Sequence, residues 1–107
     1  KSKNCKLFYM SVNPINSVMI TKAGKGARTE AQVREFNSKI RSGLSLNYKY
    51  IDTYSVLMKK GYGTNSSYSG TDAASDDGLH YTNKTFKRIY YYCITYLNTG
   101  SIDASIY

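Results

Sequence analysis

One stretch holds the residues best suited to chemistry: Ser75-Asp76-Asp77-Gly78-Leu79-His80-Tyr81-Thr82. It contains the chain's one histidine, with Asp77 three residues before it. An imidazole can carry a proton to and from a nucleophile, and a carboxylate can fix its tautomer. Acyl transfer needs that pair. Gly78 lets the backbone turn tightly between the two, because it lacks the Cβ that would clash. A divalent metal held by Asp76, Asp77 and His80 is the competing arrangement, but the Ser- and Asn-rich surroundings favour a solvated turn. Neither a metal nor a cofactor is expected. Ser55 and Ser75 are poor nucleophile candidates, since neither lies in a G-x-S-x-G elbow.

The elements on either side must hold this stretch in place. Cys5-Lys6-Leu7-Phe8-Tyr9-Met10-Ser11-Val12 is nearly continuously apolar and ends at Asn13-Pro14. It reads as a strand buried on both faces of a parallel sheet. Ligands of open α/β sheets bind beyond the carboxyl ends of strands, which puts Ser11-Val12-Asn13-Pro14 at an active edge. Residues 16–28 read as a loop. Lys22-Ala23-Gly24-Lys25-Gly26 lacks phosphate-loop spacing. Thr29 and Gln32 have capping-box spacing, and Val33, Phe36, Ile40 and Leu44 form the apolar stripe of a helix that ends near Gly43. Tyr48 to Thr53 is the second strand, parallel to the first through a right-handed crossover. Asp52 at its end serves best as a cap for the following turn, a short helix from Tyr54 to Lys60. Residues 64–75 are a polar loop leading into the Asp77/His80 stretch. Thr82 is the N-cap of a last helix whose stripe is Phe86, Ile89, Tyr90, Cys93, Ile94 and Leu97, closed by Gly100.

Composition narrows the function classes. The chain has 107 residues, 41% of them hydrophobic, which suits one domain or part of one. No apolar run is long enough to span a membrane. The net charge is +8. Residues 1–60 carry 12 Lys/Arg against 3 Asp/Glu, a net +9, and residues 61–107 carry 3 against 4, a net −1. The basic residues are scattered singly and no nucleic-acid motif accompanies them, so nucleic acid is not the expected partner. An anionic surface such as a cell-wall polymer fits the charge. Twelve tyrosines and no tryptophan suit half-buried positions with wet hydroxyls. Cys5 and Cys93 read as buried thiols, with a bridge between them left open.

Strand, helix, strand, D-x-x-H loop and helix follow in that order. Ser11-Val12-Asn13-Pro14, Phe36-Asn37, Tyr50-Ile51-Asp52-Thr53 and Asp77-Gly78-Leu79-His80-Tyr81-Thr82 together resemble the carboxyl-terminal half of an SGNH/GDSL-type esterase. The resemblance covers about residues 5–98. It implies an α/β fold: the carboxyl-terminal portion of a three-layer, flavodoxin-like α/β/α domain, with two parallel strands and two main helices in this chain. Residues 1–100 would be that portion and residues 101–107 a tail. By the same resemblance His80 is the general base and Asp77 the acid of a Ser-His-Asp triad. The substrate would be an acyl, typically acetyl, ester on carbohydrate or cell-wall polymer, hydrolysed or transferred. The family's nucleophile block and oxyanion residues have no match here, and Asn13 lies outside a Gly-x-Asn-Asp block. The isolated chain is therefore expected to be inactive. Its partner would be an amino-terminal part of the same domain or a second copy of the chain, because two doubly buried strands cannot be covered by two helices. Together with the Tyr/Ser/Asn-rich, Cys-poor composition, the family implies an extracellular or cell-surface bacterial protein. The alternative is a non-catalytic basic module that binds an anionic polymer.

Overall fold

The computed structural model describes residues 6–22, 24, 26, 28–44, 48–63 and 78–105. Over these residues the chain is mixed α/β, with two parallel strands and four helices. Strand β1 is Leu7–Met10 and strand β2 is Tyr48–Ile51, paired Leu7 with Tyr48 through Met10 with Ile51. Between them lie α1, Ser17–Lys22, and α2, Glu30–Gly43. After β2 come α3, Thr53–Lys59, and α4, Asn83–Thr99.

Local chemistry accounts for the helix ends. The Thr29 hydroxyl accepts from the Gln32 N–H, and the Gln32 side chain accepts from the Thr29 N–H, so the capping box closes in both directions. The Asp52 carboxylate accepts the Ser55 N–H at 3.1 Å and caps α3. Thr82 caps α4, and Gly100 ends it in the left-handed conformation. Helix α1 lies where a loop is expected from sequence. The Asn16 carboxamide accepts the Met19 N–H at 3.1 Å and so starts the turn. The short α3 lies where a short helix is expected, and α1 brings the helices among the described residues to four.

Alternation along the strands assigns their faces. Arg41 of α2 lies over the Tyr50 ring at 4.8 Å, and Tyr50 stacks on Tyr9. On the opposite face Phe8 meets Tyr96 edge-on, and the Met10 sulfur is 3.5 Å from Cys93 Sγ, both partners being on α4. The core has two parts. Ile15, Ile20, Val33 and Tyr54 join α1, α2 and α3. Leu57, Tyr62, Ile89 and Tyr92 join α3 to α4.

Several positions differ from the sequence pattern. β1 is not buried on both faces, for Phe8 and Met10 are 38% and 42% exposed. Phe36, Phe86, Tyr90 and Leu97 also face solvent. The inward line of α4 runs instead through Thr85, Ile89 and Tyr92, at spacings of four and three. Both long helices thus carry a wider apolar arc than the described residues cover. The segment expected as a tail is held over residues 101–105. Ile102 and Ala104 pack against the second core cluster, and the Lys60 ammonium donates to the Ala104 carbonyl at 2.8 Å.

Candidate active site

The segment leaving β1 is held by a dense set of hydrogen bonds. The Ser11 N–H continues the ladder by donating to the Ile51 carbonyl at 3.0 Å. The Val12 N–H donates to Asn37 Oδ1 and the Val12 carbonyl accepts from Asn37 Nδ2, each at 2.9 Å. One carboxamide on α2 therefore satisfies both backbone groups of a residue that has left the sheet. Beneath it runs a buried hydroxyl chain. The Tyr54 N–H donates to Ser11 Oγ at 2.8 Å, Ser11 Oγ is 3.1 Å from Thr53 Oγ1, and the Thr53 hydroxyl donates to Asn13 Oδ1 at 2.5 Å. Ser11 and Thr53 are fully buried, so the chain is shielded from competing water.

The histidine turn docks onto this segment. The Asn16 N–H donates to the Gly78 carbonyl at 2.9 Å, and the Tyr81 hydroxyl donates to the Pro14 carbonyl. Gly78 has φ +76°, in the region that favours glycine. It also sits tightly. A Cβ there would lie 2.5 Å from the Asn16 carbonyl oxygen and 2.8 Å from the Ile20 nitrogen. Those two atoms form the first backbone hydrogen bond of α1. Leu79 packs against the Ile15/Ile20/Val33/Tyr54 cluster, and Tyr81 packs against the Leu57/Tyr62/Ile89/Tyr92 cluster. His80 lies between these two anchors and is exposed. Burial, reinforced by Tyr62 and Tyr54, pushes the Tyr81 hydroxyl well above the usual phenol range, so it stays a donor.

The backbone on either side of His80 is thus held against the segment that follows β1, and His80 itself is exposed. Asp77 lies outside the described residues, as do Asp76, Ser75, Cys5 and the loop 64–75. Comparison with family models, curated proteins and solved structures finds no match to this chain. Among the described residues no group of three His, Cys, Asp or Glu side chains could hold a metal. None of their helices is long and apolar enough to cross a membrane.

Other candidates resolve into structural parts. Asp52 accepts from the Ser55 N–H and hydroxyl and from Arg41 at 3.3 Å, which accounts for its charge. The Ser55 hydroxyl donates to that carboxylate at 2.8 Å, as part of the α3 cap. Cys93 is a free thiol whose pKa burial raises, so it is a poor nucleophile at neutral pH. An open cleft of about 220 Å³ lies between α2 and the start of α3, lined by Arg34, Asn37, Ser38, Arg41, Tyr50 and Asp52 among others. In the sequence Asn37 and Thr53 have a place in the resemblance but no role, and the Tyr81 hydroxyl has none. Asn37 carried a signal: it is a polar residue four positions after Val33, on the inward line of α2.

Proposed function

We propose that this chain is the histidine-bearing part of a serine esterase of the SGNH type. His80 acts as general base and Asp77 as the acid that orients it. The substrate is an acyl ester, acetyl on carbohydrate or cell-wall polymer, met outside the cell. The observation that carries the reading is the docking of the Gly78–Tyr81 turn on Pro14 and Asn16. It holds the stretch that carries an exposed His80 against the segment leaving β1, and ligands of α/β sheets bind beyond the carboxyl ends of strands. The helices on both faces of a parallel pair support a three-layer, flavodoxin-like domain. The exposed apolar arcs of β1, α2 and α4 support a larger sheet, whose other part brings the serine and the oxyanion donors.

The chemistry then divides simply. The serine hydroxyl gives its proton to His80 as it attacks the ester carbonyl, and the imidazolium returns that proton to the leaving alcohol. This chain alone has no turnover. Co-expression with a segment that bears a Gly-Asp-Ser block, followed by a p-nitrophenyl acetate assay, tests the reading. His80→Ala is expected to lower kcat by about 10⁶-fold. Equal turnover by the variant refutes the assignment.

The cleft beside Arg34 and Arg41 favours a second reading, a basic module for an anionic polymer. That reading requires binding that weakens as salt rises. Salt-independent binding, or none, removes it.

A further inference from the structure

We propose that the chain forms a twofold dimer through the outer margin of β1, the two β1 strands pairing antiparallel about Tyr9, with α4 against α4 on one face of the sheet and α2 against α2 on the other. The inference does not rest on the esterase reading. The serine-bearing part of that reading would join at the same margin, so the dimer and the completed enzyme exclude one another.

Three open surfaces meet at this margin. The first is the strand edge. The Ser11 N–H reaches β2, so by alternation Phe8 and Met10 turn their backbone groups outward, where no strand lies among the described residues. The second is a flank of α4. Phe86, Tyr90, Cys93 and Leu97 follow at spacings of four, three and four. Cys93 gives the direction of that flank, since its sulfur meets Met10 of β1, whereas Arg88 on the far flank donates to the Tyr62 hydroxyl. Phe86, Tyr90 and Leu97 are 51%, 69% and 48% exposed. The third is a flank of α2. Val33 and Asn37 point inward, and Arg34, Ser38 and Arg41 line the cleft beside Tyr50 and Asp52 of the β2 side. At about 3.6 residues per turn, the exposed Phe36 and the half-buried Ile40 then fall on the flank away from β2.

A partner for this margin must offer a strand with an apolar helix on either face, and the chain is itself such a partner. Antiparallel pairing within one sheet puts the twofold axis normal to the sheet, so each face of one copy continues into the same face of the other. With the axis at Tyr9, Phe8 of each copy pairs with Met10 of the other. Each pair exchanges both backbone hydrogen bonds and sets two apolar side chains next to one another. The α4 flanks then face each other over one side of the sheet and the α2 flanks over the other. At about 150–250 Å² per whole aromatic side chain, the exposed parts of Phe8, Met10, Phe36, Phe86, Tyr90 and Leu97 amount to roughly 600 Å² per copy, close to the ~800 Å² that each partner buries in a stable complex.

Sedimentation equilibrium of the 107-residue chain tests the proposal. The mass is expected to rise with concentration from 12.1 kDa to twice that value. Tyr90→Lys sets a charge into the α4 contact and is expected to weaken the dimer by about tenfold, with an unchanged circular dichroism spectrum. Val18→Lys replaces an exposed apolar residue of α1 that lies on none of the three surfaces, and is expected to leave the association as it was. Amide exchange at Phe8 and Met10 should slow as the dimer forms. A mass that stays at 12.1 kDa up to about 1 mM overturns the proposal. So does wild-type association in Tyr90→Lys, a dimer that Val18→Lys dissolves as readily, or one in which the Phe8 and Met10 amides exchange as in the monomer. Turnover decides the esterase reading and mass decides the dimer, so either can fail alone.

Discussion

Replacing Gly78 with alanine tests whether the histidine turn is truly seated on the strand end. Two costs combine. An L-residue at φ +76° carries a left-handed penalty of about 1–2 kcal/mol. The new methyl group would also lie 2.5 Å from the Asn16 oxygen and 2.8 Å from both the Ile20 nitrogen and Met19 Cβ. Two of these neighbours are backbone atoms, one in α1 and one in the residue just before it, and cannot swing aside. Overpacking of this kind costs about 1–3 kcal/mol, so the total is about 2–5 kcal/mol. Against a typical stability of about 5–15 kcal/mol that is a large share. Gly100 supplies an internal control. Its φ of +81° is nearly the same, yet a Cβ there meets nothing within 4 Å. Gly100→Ala should therefore cost the backbone penalty alone. In urea, the Gly78→Ala midpoint should fall below that of Gly100→Ala by about 1 M, for a slope of about 2 kcal/mol per molar. Amide exchange at Asn16 should quicken in Gly78→Ala only, since the bond from its N–H to Gly78 is the one displaced. Equal midpoints for the two variants, or unchanged Asn16 protection, would refute the seating.

Four further outcomes follow from the same geometry. Tyr81→Phe keeps the ring packing, loses the bond to the Pro14 carbonyl and should cost about 1–2 kcal/mol by urea denaturation. The Tyr81 pKa is raised on folding, so its contribution is intact below about pH 10, where the unfolded phenol is still protonated, and declines as pH rises above that. Stability should fall there by about 1.4 kcal/mol per pH unit from this residue, and Tyr81→Phe should flatten the alkaline profile by that amount; an unchanged slope counts against a buried Tyr81. Asn37→Leu leaves the Val12 N–H and carbonyl without their partner and should cost about 2–4 kcal/mol in the same assay, whereas a neutral result would mean that water replaces the carboxamide. His80→Ala should shift stability by less than about 0.5 kcal/mol, because the side chain is exposed; a larger loss would make His80 a structural residue.

What the sequence makes legible here is what depends on near neighbours. Thr29 with Gln32, Asp52 with Ser55, Thr82 with Thr85 and Gly100 with Tyr96 each mark a helix end through a contact a few residues apart. The strand pair Leu7–Met10 and Tyr48–Ile51 was legible from apolar and β-branched runs of the right length. Helix α1 was hidden because it spans only Ser17–Lys22 and has no full amphipathic period; its signal was the single side chain of Asn16. Burial was misjudged at Phe36, Phe86, Tyr90 and Leu97, since periodicity shows that a face is apolar but not what lies opposite it. In the candidate site the Gly78 turn was legible from one residue type. The pairing of Asn37 with Val12 and the run from Tyr54 to Asn13 join positions 25 to 43 residues apart, and no local pattern announces them.

The Asn37 carboxamide has one more effect, on how the sheet can grow. In a parallel pair the backbone groups of successive residues point to alternate sides. Ser11 faces β2, so Phe8, Met10 and Val12 face the opposite margin. Asn37 occupies both groups of Val12 and acts there as a stop. An arriving strand finds rungs at Phe8 and Met10, then meets a side chain already in its place. A strand added along that margin would therefore find ladder partners only before Val12, and its pairing would stop where the Asn37 amide begins.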